Sequence, residues 1–155
     1  MSTQVAVEPD LSAWIRLLRA YSALTRELDA RLEAAHGLSL RDYDVLVQLY
    51  NAPDRAMRRV DIARTVILSP SGVTRLLEGL ERAGWVAKLH CPSDARVTYA
   101  HLTGEGAAKY EAARVTHLAD VEELFRSRYT DEERAQLAEL LGRLPLADAG
   151  ACNSE

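Results

Sequence analysis

Apolar positions recur at helical spacing along most of the chain, and the period changes once. Leu11, Trp14, Ile15, Leu18, Tyr21, Leu24, Leu28 and Leu32 form one stripe. It predicts a long helix capped by Asp10 and running to about Ala35, closed by His36-Gly37, with glycine as the left-handed stop. Ser39 caps a second helix from Leu40 to about Tyr50, with Tyr43, Leu46, Val47 and Tyr50 on one side. Asn51 to Arg55 contains Pro53 and reads as a loop. A short third helix covers about Arg58 to Thr65, with Ile62, Ala63 and Val66 inward, and Ile67-Leu68 leads straight into Ser69.

The stretch SPSGVTRLLEGLER, Ser69 to Arg82, organises the rest of the chain. Val73, Leu76, Leu77 and Leu80 make its inward stripe, Ser69 is its N-cap, and Pro70 suits the first helical position. Its other face carries Ser71, Thr74, Arg75 and Glu78. A helix whose outward N-terminal face is small and hydroxylic, with a cation one turn in, can enter a DNA major groove. Its first amides can meet a phosphate. An ordinary surface helix is the competing reading, and the flanks decide between them. Two short helices in this order form a helix-turn-helix.

After Gly84 the period drops to two. Trp85 to His90 and Val97 to Leu102 have strand character around the turn-rich tip CPSDAR. A hairpin directly after a helix-turn-helix is the wing of a winged helix. Thr103 then caps a long helix over about residues 104 to 128, with Ala107, Tyr110, Leu118, Val121 and Phe125 on one face. Thr130 to Glu133 is a capping box for a last helix bearing Leu137, Leu140, Leu141 and Leu144, stopped at Pro145. Residues 1–9 and 146–155 lack periodicity and are expected to be disordered. The fold class is therefore mainly α with a small β-hairpin wing.

Charge sharpens the picture. The net charge of the 155 residues is −4. The segment from Asp54 to His101 nevertheless holds eight basic and five acidic residues, or +3, which leaves −7 for the rest. A basic centre held by acidic ends suits a groove binder better than the total suggests. Two cysteines are too few for a disulfide framework. No apolar run reaches the roughly 18 residues of a membrane span, and no export signal is visible, so a cytoplasmic protein without a membrane partner is expected.

The residues SGVTRLLEGLERAGWV, with Asp94-Ala95-Arg96 leading to Leu102-Thr103-x-x-Gly106, carry a resemblance to the MarR family of bacterial winged-helix transcription regulators. The resemblance covers about Leu11 to Leu144. It implies a homodimer with intertwined first and last helices, bound to a pseudo-palindromic double-stranded DNA operator and released, in many members, when a small aromatic or phenolic acid, or an oxidant, is sensed. On this reading residues 37–103 are the DNA-binding winged helix-turn-helix, while 10–36 and 104–145 are the dimerisation helices. One departure stands out: where the family often has Arg shortly after the Gly-x-Val, this chain has Lys88. A point phosphate contact survives that change and a bidentate one does not. The stripes near the two ends also exceed what a short winged helix can cover, which independently favours a two-fold partner.

The candidate DNA-binding residues are Arg58, Ser69, Ser71, Thr74, Arg75, Asp94 and Arg96. A lone Arg at a wing tip can enter the narrow minor groove, and Asp94, two residues earlier, can orient Arg96. A surface ion pair of little energetic consequence is the plainer alternative. Candidate effector-pocket residues are Trp14, Tyr43 and His117, with Arg16 to pair a carboxylate, although aromatic residues on helical stripes are more often core.

Enzyme readings lack support: there is no Gly-rich phosphate loop, no nucleophile elbow and no HExxH. No cofactor or metal is expected. His90 and Cys91, with His101 across the hairpin, make a poor metal site, because adjacent strand residues face opposite ways. A redox role for Cys91 is the alternative sensing mode, although no cationic cradle is visible in the sequence. A winged-helix protein–protein module is the alternative outside DNA binding.

Overall fold

The computed structural model describes residues 9–66 and 70–144; the side chains of Pro9, Pro70 and Ser71 are outside the description. The order is α1 (Ser12–His36), α2 (Leu40–Asn51), β1 (Ala56–Arg58), α3 (Arg59–Thr65), α4 (Pro70–Arg82), β2 (Val86–Cys91), β3 (Asp94–Leu102), α5 (Gly104–Leu124) and α6 (Asp131–Leu141).

Local chemistry explains most of the boundaries. Gly37 ends α1 at φ 64° with its N–H on the Glu33 carbonyl. Ser39 opens α2 in a reciprocal capping box with Asp42. Thr130 does the same for α6 with Glu133. Thr103 caps α5 by accepting from the Gly106 N–H, and its hydroxyl donates to the Gly84 carbonyl. The turn after α4 is thereby tied to the next long helix.

Four expectations need correction. Asp10 does not cap α1; it lies in a 3-10 turn, Pro9–Leu11, and Leu11 occupies the cap position without a side-chain bond. The loop before α3 contains β1, which pairs antiparallel with β3 so that Arg58 faces Tyr99. Three residues carry no readable alternation, and this strand exists because β3 offers it an edge. The hairpin tip is shorter than expected, because β3 already begins at Asp94 and only Pro92-Ser93 separate the strands. Finally, α5 stops at Leu124, short of residue 128: Phe125 turns to φ −129°, ψ −64°, and a 3-10 turn follows at Arg126–Arg128. Ser69, Ile67-Leu68 and Pro145 lie outside the described residues, as do 1–8 and 146–155; of the stretch 1–9 expected to be disordered, Pro9 instead opens the 3-10 turn.

The three-stranded sheet has order β1-β3-β2. The core is continuous: Leu32 of α1, Leu38, Val45, Leu46 and Leu49 of α2, Ile62 of α3, Leu77 and Leu80 of α4, and Leu102 are essentially closed to solvent. Val45 and Leu49 extend the single expected stripe of α2, which is covered on more than one side.

Only the C-terminal end of α1 and the first half of α5, through Ala113, enter this core. The remaining stripe stands open. Trp14 is 56% exposed, Tyr21 63% and Leu118 49%, and Leu140 and Leu144 are also exposed. Among the described residues of one chain, nothing covers that face.

Candidate nucleic-acid interface and adjoining cavity

The helix-turn-helix is braced from within. Val73, Leu77 and Leu80 anchor α4 in the core, and Arg59 of α3 pairs with Glu81 of α4 at 3.6 Å. The opposite face of α4 presents Thr74 and Arg75 to solvent. Ser69 and the Ser71 side chain lie outside the described residues, so the hydroxylic start of that face is not part of the described geometry.

Arg58 sits at the junction of β1 and α3, where its guanidinium interacts with the Tyr99 phenol and holds its proton more firmly than usual. It belongs to the base of the wing sheet as much as to the third helix. At the far end of the hairpin Asp94 accepts from the Arg96 backbone N–H at 3.0 Å. The same oxygen lies 3.5 Å from Arg96 Nε, and the Arg96 side chain is 94% exposed. Asp94 thus shapes the backbone at Arg96 more firmly than it holds the guanidinium. Lys88 is exposed on β2. The recognition helix, the first strand of the wing and its tip each therefore carry an exposed cation.

Cys91 differs from the expectation set by its sequence neighbours. Ser93 Oγ lies 3.2 Å from its sulfur, and the Ser93 hydroxyl with the Ser93 and Asp94 amides draws the thiol below its ordinary range. The shift comes from hydrogen bonds, not from a neighbouring cation. Among the described residues no cluster of three metal-ligating side chains occurs.

A cavity of about 390 Å³ lies between α1 and α2. Tyr43 and His117 both line it, as do Tyr21, Thr25, Leu40, Arg41, Asp44, Val47 and Val66. Trp14 and Arg16 do not line it. Tyr21 takes the place expected for Trp14, one heptad further along the same stripe. That offset was invisible without knowing where α2 crosses α1. Val66 is the C-cap of α3, so the cavity wall reaches the end of that helix, four residues before α4.

Burial sets the chemistry of the walls. It pushes the Tyr43 phenol up to about 12, with Tyr110 adding to the effect. It lowers His117 below the usual imidazole range and raises the Asp44 carboxyl above the carboxylate range. The rings form a ladder: His117 and Tyr43 centroids are 4.6 Å apart, Tyr43 and Tyr110 5.6 Å, and Tyr110 and Tyr50 4.5 Å. Arg55 lies 4.8 Å over Tyr50, one residue before β1. Deeper along α1, Arg31 bonds Glu27 of its own helix together with Asp120 and Glu123 of α5. Sequence reasoning missed this clamp, for which the 89-residue separation from Asp120 leaves no local signal.

Comparison with known proteins settles the family. The model of the MarR family matches residues 38–98. The chain is 30% identical over 130 residues to the transcriptional regulator PecS of Dickeya dadantii, covering 83% of this chain and 76% of that protein. The chain belongs to the MarR family. It is also 31% identical over 111 residues to the transcriptional repressor YetL of Bacillus subtilis, covering 72% of this chain and 66% of YetL. Among solved structures, the MarR family regulator Sco3205 of Streptomyces coelicolor, in complex with DNA, superposes with a TM-score of 0.82 at 28% identity, covering 86% and 84% of the two chains. As a MarR-family member the chain is a transcriptional regulator and not an enzyme. No helix among the described residues is long and apolar enough to cross a membrane.

Proposed function

We propose that this MarR-family regulator is a cytoplasmic repressor that acts as a homodimer on a pseudo-palindromic operator and is released by a small aromatic or phenolic ligand. The observation that carries the reading is the position of Val66. This residue lines the aromatic-walled cavity and is also the C-cap of α3, four residues before α4 begins at Pro70. A ligand seated against Tyr43, His117 and Val66 would touch the end of α3, the helix tied to α4 by the Arg59–Glu81 pair. To release DNA, such a ligand must bind one placement of α4 more tightly than another.

The homodimer reading rests on the uncovered stripe of α1, α5 and α6, and on residues 10–36 and 104–145 as the association region. A two-fold partner would place two recognition helices about one DNA turn apart. Arg58, Ser69, Ser71, Thr74, Arg75, Asp94 and Arg96 are the proposed contacts with DNA. The repressor function named for YetL agrees with this assignment. The test is a mobility shift with the intergenic DNA upstream of the protein's own gene, followed by a screen of aromatic compounds for release. A protein that retards no such fragment would return the winged helix to a role in protein–protein contact.

A further inference from the structure

The cavity walls point to one class within the proposed aromatic ligands. Asp44 lines the cavity half-buried, and its only described hydrogen bond is a long one from Gln48 Nε2, at 3.5 Å. A carboxylate withdrawn from water with so little compensation is costly unless a cation or strong donor meets it. The other walls near it are apolar or aromatic: Leu40, Val47 and Val66, with Tyr43 closing one side. Arg41 in the lining and Arg114, whose charge reaches the Tyr43 phenol, are the nearby cations, and both are exposed, so water screens them. Burial keeps the His117 imidazole neutral at neutral pH, and it adds no positive charge. The interior is therefore negative where the ligand would sit, and about 390 Å³ accommodates a one- or two-ring molecule.

We infer that the ligand of this cavity is an aromatic cation, an amidinium or ammonium on a flat ring system, that pairs with Asp44, and not an aromatic carboxylate. The inference rests on the proposed ligand-release function and narrows it. Desolvation at Asp44 makes the sign of the ligand's charge the main discriminator among molecules of equal shape.

The test uses three near-isosteric probes, 2-naphthamidine, 2-naphthamide and 2-naphthoate, titrated calorimetrically into the full-length protein at neutral pH. The expected order is amidine tighter than amide, and amide tighter than acid, with at least tenfold between the ends. Asp44→Asn lowers amidine affinity at least tenfold and leaves the amide within threefold. Asp44→Glu keeps the charge and retains the amidine preference, which serves where the Asn variant folds poorly. Val47→Trp, which fills the cavity, abolishes binding of the amidine. Naphthoate binding most tightly, an unchanged order in Asp44→Asn, or no probe binding at all would each overturn the inference. DNA release is read separately by mobility shift. Amidine that binds through Asp44 without releasing DNA sinks the release function and leaves the ligand class standing. Naphthoate that binds in the cavity and releases DNA does the reverse.

Discussion

Gly106 in the first turn of α5 packs directly on the carbonyl of Trp85, so closely that a Cβ at this position would overlap that oxygen and crowd a Leu102 methyl. The Leu-Thr-x-x-Gly sequence is thus a joint. Thr103 bonds both Gly84 and Gly106, and the missing side chain lets the long helix start against the residue that opens the wing. Gly106→Ala forces backbone against backbone, which no rotamer change relieves. The expected cost is about 3 kcal/mol, or a Tm lower by roughly 6–12 °C. Gly104→Ala, with nothing within 4 Å, is the control and leaves Tm unchanged or slightly higher. Thermal melts of both variants by circular dichroism check the pair, and equal melts would show that the joint yields.

Arg96→Ala removes an almost fully exposed cation from the wing without touching the core. Operator affinity is expected to fall about ten- to hundredfold, with the salt slope reduced by about one unit, because fewer counterions are displaced. Thr74→Ala relaxes base preference with little change in slope. Binding isotherms across a salt series separate the two. An Arg96→Ala protein that binds as tightly as wild type would reduce Asp94 and Arg96 to a surface ion pair.

Truncation after about residue 128 removes α6 with its exposed Leu140 and Leu144. The product is expected to sediment as a monomer and to bind operator weakly. A truncated chain that remains dimeric would assign the association surface to α1 and α5 alone.

Stability should depend on pH through His117. Its folded-state proton affinity is depressed by burial from the ordinary 6.5. The unfolded chain therefore takes up the proton first as pH falls through 6.5, and stability present above that value is progressively lost below it. Urea melts between pH 7.5 and 5.5 should show this decline, and His117→Gln should flatten it. Asp44 acts with the opposite sign, since its raised carboxyl favours the folded state at low pH. An equally steep slope in wild type and His117→Gln would assign the pH dependence elsewhere.

The Arg31 clamp predicts coupling across the molecule. Asp120 is only 14% exposed and its Oδ2 has no hydrogen-bond partner among the described residues, so it leans on Arg31 for compensation. Arg31→Ala should lower Tm. Arg31→Ala combined with Asp120→Asn should cost less than the sum of the single changes, because the orphaned charge is gone. Strict additivity in that cycle would show the two side chains to be energetically independent.

The features legible in the chain alone were those that rest on near neighbours. Gly37 and Gly84 had to end helices, Thr130-x-x-Glu133 had to begin one, and Val73, Leu77 and Leu80 had to face inward, because periodicity and capping act within a few residues. The wing followed from its place after the recognition helix, and the family from motifs within one contiguous segment. Features that depend on pairing across long separations stayed hidden. Ala56–Arg58 became a strand only when β3 presented an edge, and α5 broke at Phe125 with no proline or glycine to announce it. The cavity took Tyr21 in place of Trp14 because the crossing of α1 over α2 chooses which heptad looks inward, and that crossing is set by packing. The negative wall at Asp44 likewise needed the fold. An aspartate four residues before a glutamine is an ordinary surface pattern until tertiary packing takes it half out of water.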